Sequence, residues 1–202
     1  MTAAVREPSD LQASNVRLAA HQAGTAFLGM VIFMGSWAML FAGLFFAYGI
    51  VRAGSHPWPP IDLPSLPLAM PAVATAALAL SSLAMQTALT RARRSLSGVG
   101  GLVFAALVLG AVFLAVQISV WLQLWSVGLQ PSTGTFASVF YGLTVFHAVH
   151  VAVGLFALAF LGIQGARNRY HAAAHIPLRL WTLYWHMVGV VWLLMYVLIY
   201  LV

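Results

Sequence analysis

Cysteine is absent from the 202 residues, and so is lysine, all nine cations being arginine. The first absence excludes disulfides, thiolate metal sites and a binuclear copper centre built on cysteine. It does not fix the compartment, because a membrane-embedded chain needs no disulfide staples. Carboxylates are almost as scarce. The three present, Glu7, Asp10 and Asp62, all fall outside the long apolar stretches, which removes most chemistries at once. Segments of about ten residues with alternating polarity are also missing, so a transmembrane β-barrel is excluded.

The chain instead holds apolar residues in unbroken runs. A hydrophobic fraction of 62%, charged residues at 6% and a mean hydropathy of +0.96 describe a chain whose solvent is lipid. Five runs, at 25–51, 66–89, 98–127, 136–163 and 176–202, each reach the ~20 residues needed to cross ~30 Å of hydrocarbon. The expected fold is therefore an all-α bundle of five transmembrane helices, a multi-pass membrane protein. Residues 1–23 read as a retained polar tail, amphipathic or disordered, and 24–202 as the five-helix domain, since no short apolar core with a cleavage site precedes the first span. Arg6, Arg17, Arg91, Arg93, Arg94, Arg167, Arg169 and Arg179 fall on one side of the membrane and Arg52 alone on the other. That asymmetry predicts a cytoplasmic N-terminus and an external C-terminus. Anionic lipid headgroups suffice to account for the net charge of +6, and nucleic acid is not needed.

Between the first two spans, 52–65 is rich in proline (Pro57, Pro59, Pro60, Pro64) and reads as a stiff extended loop. The loop at 128–135, with Pro131 and Gly134, reads as a turn. The polar residues left at membrane depth are Ser36, Ser81, Ser82, Gln86, Thr87, Gln117, Ser119, Gln123, Thr144, His147, His150, Thr182 and His186. His147 and His150 are about 60° apart on one helix face, with Thr144 a further turn away, so they point into the bundle. Imidazoles there have two readings. They can ligate metal or heme, with His147 or His150 pairing with His186, although the depths match poorly. Or they can be neutral groups hydrogen-bonding across helices to hydroxyls, amides or lipid headgroups. Small residues four apart (Gly43 and Ala47, Gly101 and Ala105, Ala106 and Gly110, Ala148 and Ala152) read as helix-packing positions. Trp121, Trp125, Trp181, Tyr184, Trp185 and Tyr200 read as interfacial aromatic belts.

Two stretches carry a family resemblance. Phe140-Tyr-Gly-Leu-Thr-Val-Phe-His147-Ala-Val-His150-Val-Ala-Val-Gly154-Leu and Tyr184-Trp185-His186-Met-Val-Gly189-Val-Val-Trp192-Leu-Leu-Met-Tyr196-Val-Leu-Ile-Tyr200 resemble the C-terminal signatures of subunit III of heme-copper (cytochrome c or quinol) oxidases. Gly35-Ser36-Trp37 through Tyr48 resembles the helix that begins Ser-Glu in that family. The likeness covers about 20–202, in the short five-helix form. It implies a non-catalytic membrane subunit of a proton-translocating, oxygen-reducing respiratory complex, with no redox centre of its own. Heme and copper would lie in partner subunits I and II, subunit I would be stabilised, and phospholipid would be bound. The alternatives are a subunit III-like accessory protein of nitric oxide reductases, an independent b-type cytochrome and a transporter. Trp37, Val120 and Gly189 stand where the family carries acids, so no role of those carboxylates transfers to this chain. Without them the histidines are expected to be neutral and bonded to hydroxyls or amides.

Overall fold

The structure is a computed structural model that describes residues 8–55, 68–167, 169–171 and 174–201, with side chains from residue 21 onward. Glu7, Arg6, Asp62 and the proline-rich segment at 56–67 lie outside the described residues, as do the side chains of Asp10 and Arg17. All regular structure among the described residues is helical: α1 Pro8–Ala53, α2 Ala69–Arg93, α3 Val99–Ser126, α4 Thr135–Ala166 and α5 Ile176–Tyr196, which runs into a π-helical turn at Val197–Leu201. Each contains a stretch long and apolar enough to cross a membrane. Helix α1 differs from the expected span. It begins at Pro8, inside the stretch read as a polar tail, where leucine, glutamine, alanine and arginine favour helix.

Two compact units divide the chain, residues 1–38 and 39–202. In the first, the Ser36 hydroxyl donates to Phe33 O at 2.8 Å and the Phe33 and Trp37 rings lie 4.7 Å apart.

In the second unit α2 packs on α3, α3 on α4, α4 on α5 and α5 back on α2, closing a four-helix ring. The ring-facing residues of α3 are Val99, Val103, Ala106, Gly110, Phe113, Gln117, Val120 and Leu124. Their spacing alternates four and three, the seven-residue repeat of a left-handed helix bundle. The facing stripe of α2 is mostly small: Ala74, Ala77, Ser81, Ala88 and Ala92. Lipid tails are as apolar as leucine, so close van der Waals packing of such stripes, not burial from water, holds the helices together.

At one end of the ring, α3 and α4 touch backbone to backbone. A Cβ added to Gly100 would lie 2.7 Å from Ala166 N and Gly165 C, and one added to Gly165 would lie 2.8 Å from Gly100 Cα. The chain enters α3 through Gly98, whose φ of 86° a side chain would resist. At the other end the loop at 128–134 is the expected turn. It is held by Tyr141, whose hydroxyl donates to Leu129 O at 2.8 Å, and by Ser138, whose hydroxyl donates to Pro131 O at 2.7 Å. The end of α1 joins this unit through the Tyr48 hydroxyl, which donates to Leu198 O at 2.8 Å. Leu198 lies in the terminal turn, where helix carbonyls lack an intrahelical partner. Between α4 and α5 the Tyr170 phenol is buried, which pushes it up to about 12.

Candidate functional site

Helix α5 turns the residues of its signature in several directions, and each polar end is bonded to a different neighbour. Tyr184 donates to His150 O on α4 at 2.9 Å. Trp185 Nε1 donates to Ser81 Oγ on α2 at 3.0 Å, and that hydroxyl donates onward to Ala106 O on α3 at 2.6 Å. His186 Nε2 meets Gln86 Oε1 on α2 at 3.1 Å. One and a half turns further on, Trp192 Nε1 donates to Thr75 Oγ1 on α2 at 2.9 Å. The signature is a set of cross-helix ties that reaches every other helix of the ring.

Trp185 is the centre of this set. Its indole is fully buried, and it sits in a notch that two glycines leave open. A Cβ on Gly110 of α3 would lie 2.7 Å from Trp185 Cζ2, and one on Gly154 of α4 would lie 2.4 Å from Trp185 Cζ3. No real side chain approaches so closely, so glycine at both positions is a condition of the indole being there. The expected interfacial role fails for Tyr184, Trp185 and Tyr200, which are buried in the ring, while Trp125 is exposed as a belt residue would be. Counting from helix ends gave depth but not direction, and direction decides. Among the small-residue pairs, Ala106 and Gly110 do face the ring, whereas Gly43 and Gly101 meet nothing within 4 Å.

The α4 residues divide. Thr144 accepts from Trp121 Nε1 at 3.2 Å and donates to Phe140 O at 2.8 Å. His150 Nδ1 bonds to Phe146 O one turn earlier on its own helix. His147 is 1% exposed, and neither ring nitrogen has a hydrogen-bond partner. Gln117 on α3 is likewise buried, its amide without a hydrogen bond of good geometry but near the Tyr200 hydroxyl. His186 thus meets a side-chain amide and His150 a backbone carbonyl. His147 is instead walled by rings: Trp192 at 5.4 Å, Phe113 at 5.9 Å and Phe41 at 6.2 Å, centroid to centroid. Aromatic rings thus surround His147, while His186 is engaged by Gln86 on α2. No three His, Cys, Asp or Glu side chains converge among the described residues.

The three positions where acids were expected are also distinct. Trp37 lies on α1, Val120 is fully buried on the ring face of α3, and Gly189 lines an apolar groove between α2 and α5. That groove has a volume of about 390 Å³ and is lined by Leu78, Ala79, Val190 and Leu193, with Ser82 and His186 along it. A Cβ on Gly189 would meet Ser82 Oγ at 3.4 Å.

The sequence model of the family described as cytochrome c oxidase subunit III matches residues 12–202. The chain belongs to that family. Among relatives, the cytochrome c oxidase subunit 3 of Synechocystis sp. is 35% identical over 175 residues, covering 86% of this chain and 74% of the relative. The probable cytochrome c oxidase subunit 3 of Nocardia farcinica is 34% identical over 206 residues and matches end to end, 100% of each. That of Thermostichus vulcanus is 32% identical over 178 residues, 86% of each chain. The chain is thus a non-catalytic subunit III of an oxidase and a multi-pass protein of the bacterial plasma membrane, and subunit III carries no redox cofactor in itself. In this subunit III the cross-helix ties of Tyr184, Trp185 and His186 hold the helices of the ring together.

Proposed function

We propose that this subunit III acts as a membrane scaffold for the oxygen-reducing core of its complex, docking on subunits I and II, stabilising subunit I and holding phospholipid. The heme and copper lie in those partners, and the N-terminus is cytoplasmic. The observation that carries this reading is the bonding of the α5 signature: the polar ends of Tyr184, Trp185, His186 and Trp192 are all used inside the bundle. Lipid is supported by the α2–α5 groove. Its apolar walls suit an acyl chain, and Arg93, Arg94 and Arg179 stand at the helix ends where an anionic headgroup would sit.

The test is to tag the chain in its own membrane, purify it gently and identify what accompanies it. Oxidase subunits I and II are expected. Nitric oxide reductase subunits, or no partner at all, would overturn the proposal. Orientation has its own test, because the chain contains no cysteine. Ser97→Cys and Ser132→Cys lie in exposed loops at opposite ends of the bundle. In intact cells an impermeant thiol reagent is expected to label Cys at 132 and not at 97. The reverse pattern would invert the topology, and labelling of both would break the five-span arrangement.

A further inference from the structure

Three buried polar side chains of the ring make no hydrogen bond of good geometry, the Gln117 amide, both nitrogens of His147 and the Tyr200 hydroxyl, although Tyr200 and Gln117 are near enough to interact with each other. In a hydrocarbon environment an unpaired polar group is among the least tolerable features of a fold. A neutral imidazole needs one donor and one acceptor, and a glutamine amide offers two of each. The rings around His147 can at most take its N–H weakly through their π faces, and they leave its other nitrogen without a donor. The nearby protein donors are committed. Trp192 Nε1 goes to Thr75, the Thr144 hydroxyl to Phe140 O and the Tyr184 hydroxyl to His150 O.

Gln117 and His147 share one level of the bundle. Gly100 against Gly165 and Trp121 against Thr144 fix the antiparallel register of α3 on α4. Both pairs place Gln117 opposite Ala148, beside His147. Phe113, one turn from Gln117, touches the rings of both His147 and Trp192. Tyr200 lies two turns beyond Trp192, packs on Phe140 at 6.2 Å and interacts through its hydroxyl with the Gln117 side chain. Gln117 of α3 and His147 of α4 therefore lie at one level with unused donors and acceptors, each 1% exposed, and Tyr200 of α5 reaches Gln117.

We infer that ordered water is bound inside the ring between α3, α4 and α5, bridging Gln117, His147 and Tyr200. Water carries both hydrogen-bonding roles, and two to four polar partners are what hold a buried water. The site is structural: it satisfies the three side chains and fixes their rotamers. It also accounts for a histidine in the middle of the bundle with no protein partner.

The test is a density map of the intact complex, at a resolution that shows water. Density is expected at roughly 2.7–3.2 Å from both the Gln117 amide and a His147 nitrogen. Direct bonding of Gln117 to Tyr200 or to a carbonyl, with no density beside His147, would overturn the inference. A double-mutant cycle gives a second, independent reading. Gln117→Leu and His147→Leu are each expected to lower retention of the chain in the detergent-washed complex, because each strands the shared water. The double variant is expected to lose no more than the worse of the two. Losses that multiply would show that the two side chains act separately, and would contradict a shared site.

Discussion

Gly100→Leu is expected to separate α3 from α4, while Gly101→Leu, at the next residue, is expected to leave the protein intact. The two substitutions are chemically identical, and both replace a poor helix former with a good one, a gain of about 0.8 kcal/mol wherever space allows. Space allows it only at Gly101, which meets nothing within 4 Å. At Gly100 the first atom of the side chain already lies 2.7 Å from backbone atoms of Gly165 and Ala166. A backbone cannot change rotamer to make room, so the helices must move apart and give up the close contacts that bind them in lipid. The cost is expected at the upper end of overpacking, about 3 kcal/mol. Gly101→Leu should stay within about 0.5 kcal/mol of the parent once its helix gain is offset by solvation differences. Unfolding titrations of the two variants in mixed detergent compare them directly. Equal effects would mean that the contact between α3 and α4 is not where these glycines put it.

Trp185→Ala is expected to be the most damaging change in the α5 signature, at about 3–5 kcal/mol for emptying a fully buried aromatic site. Much of that cost is packing. The indole fills the notch at Gly110 and Gly154 beside Leu155 and Tyr184, and Ser81 loses its indole donor while keeping its bond to Ala106 O. Trp185→Phe separates the contributions. It leaves a ring in the notch and removes the N–H, so it should cost only about 0.6–2 kcal/mol, the range of one interhelical hydrogen bond. A Trp185→Phe variant as unstable as Trp185→Ala would show that the indole's hydrogen bond, and not its fit between the glycines, carries the site.

The five spans were legible in the sequence because length and apolarity alone specify a membrane helix; the packing within the ring was not. In a soluble helix the buried face announces itself by being apolar. Here both faces are apolar, and the repeat Val99, Val103, Ala106, Gly110, Phe113, Gln117, Val120, Leu124 differs from the lipid face only in size and fit. Glycine shows the same ambiguity. Gly100 and Gly154 are essential for close approach, yet as residues they look no different from Gly101, which faces open space. The spacing of His147 and His150 gave them a common face, and both are buried in the ring, but the partner of His186, Gln86, comes from a helix a hundred residues away. Ser81 and Thr75 were further partners of this kind. Only the rule that a buried Trp N–H seeks an acceptor could have pointed to them.

The account stands most directly on where the heme and copper reside. The measurement is the optical spectrum and metal content of the purified complex before and after this chain is stripped from it with detergent. The Soret band and the copper are expected to remain with the other subunits, and the released chain to show neither. A Soret band that travels with the released chain would contradict the assignment of His147, His150 and His186 to structure rather than to a redox centre.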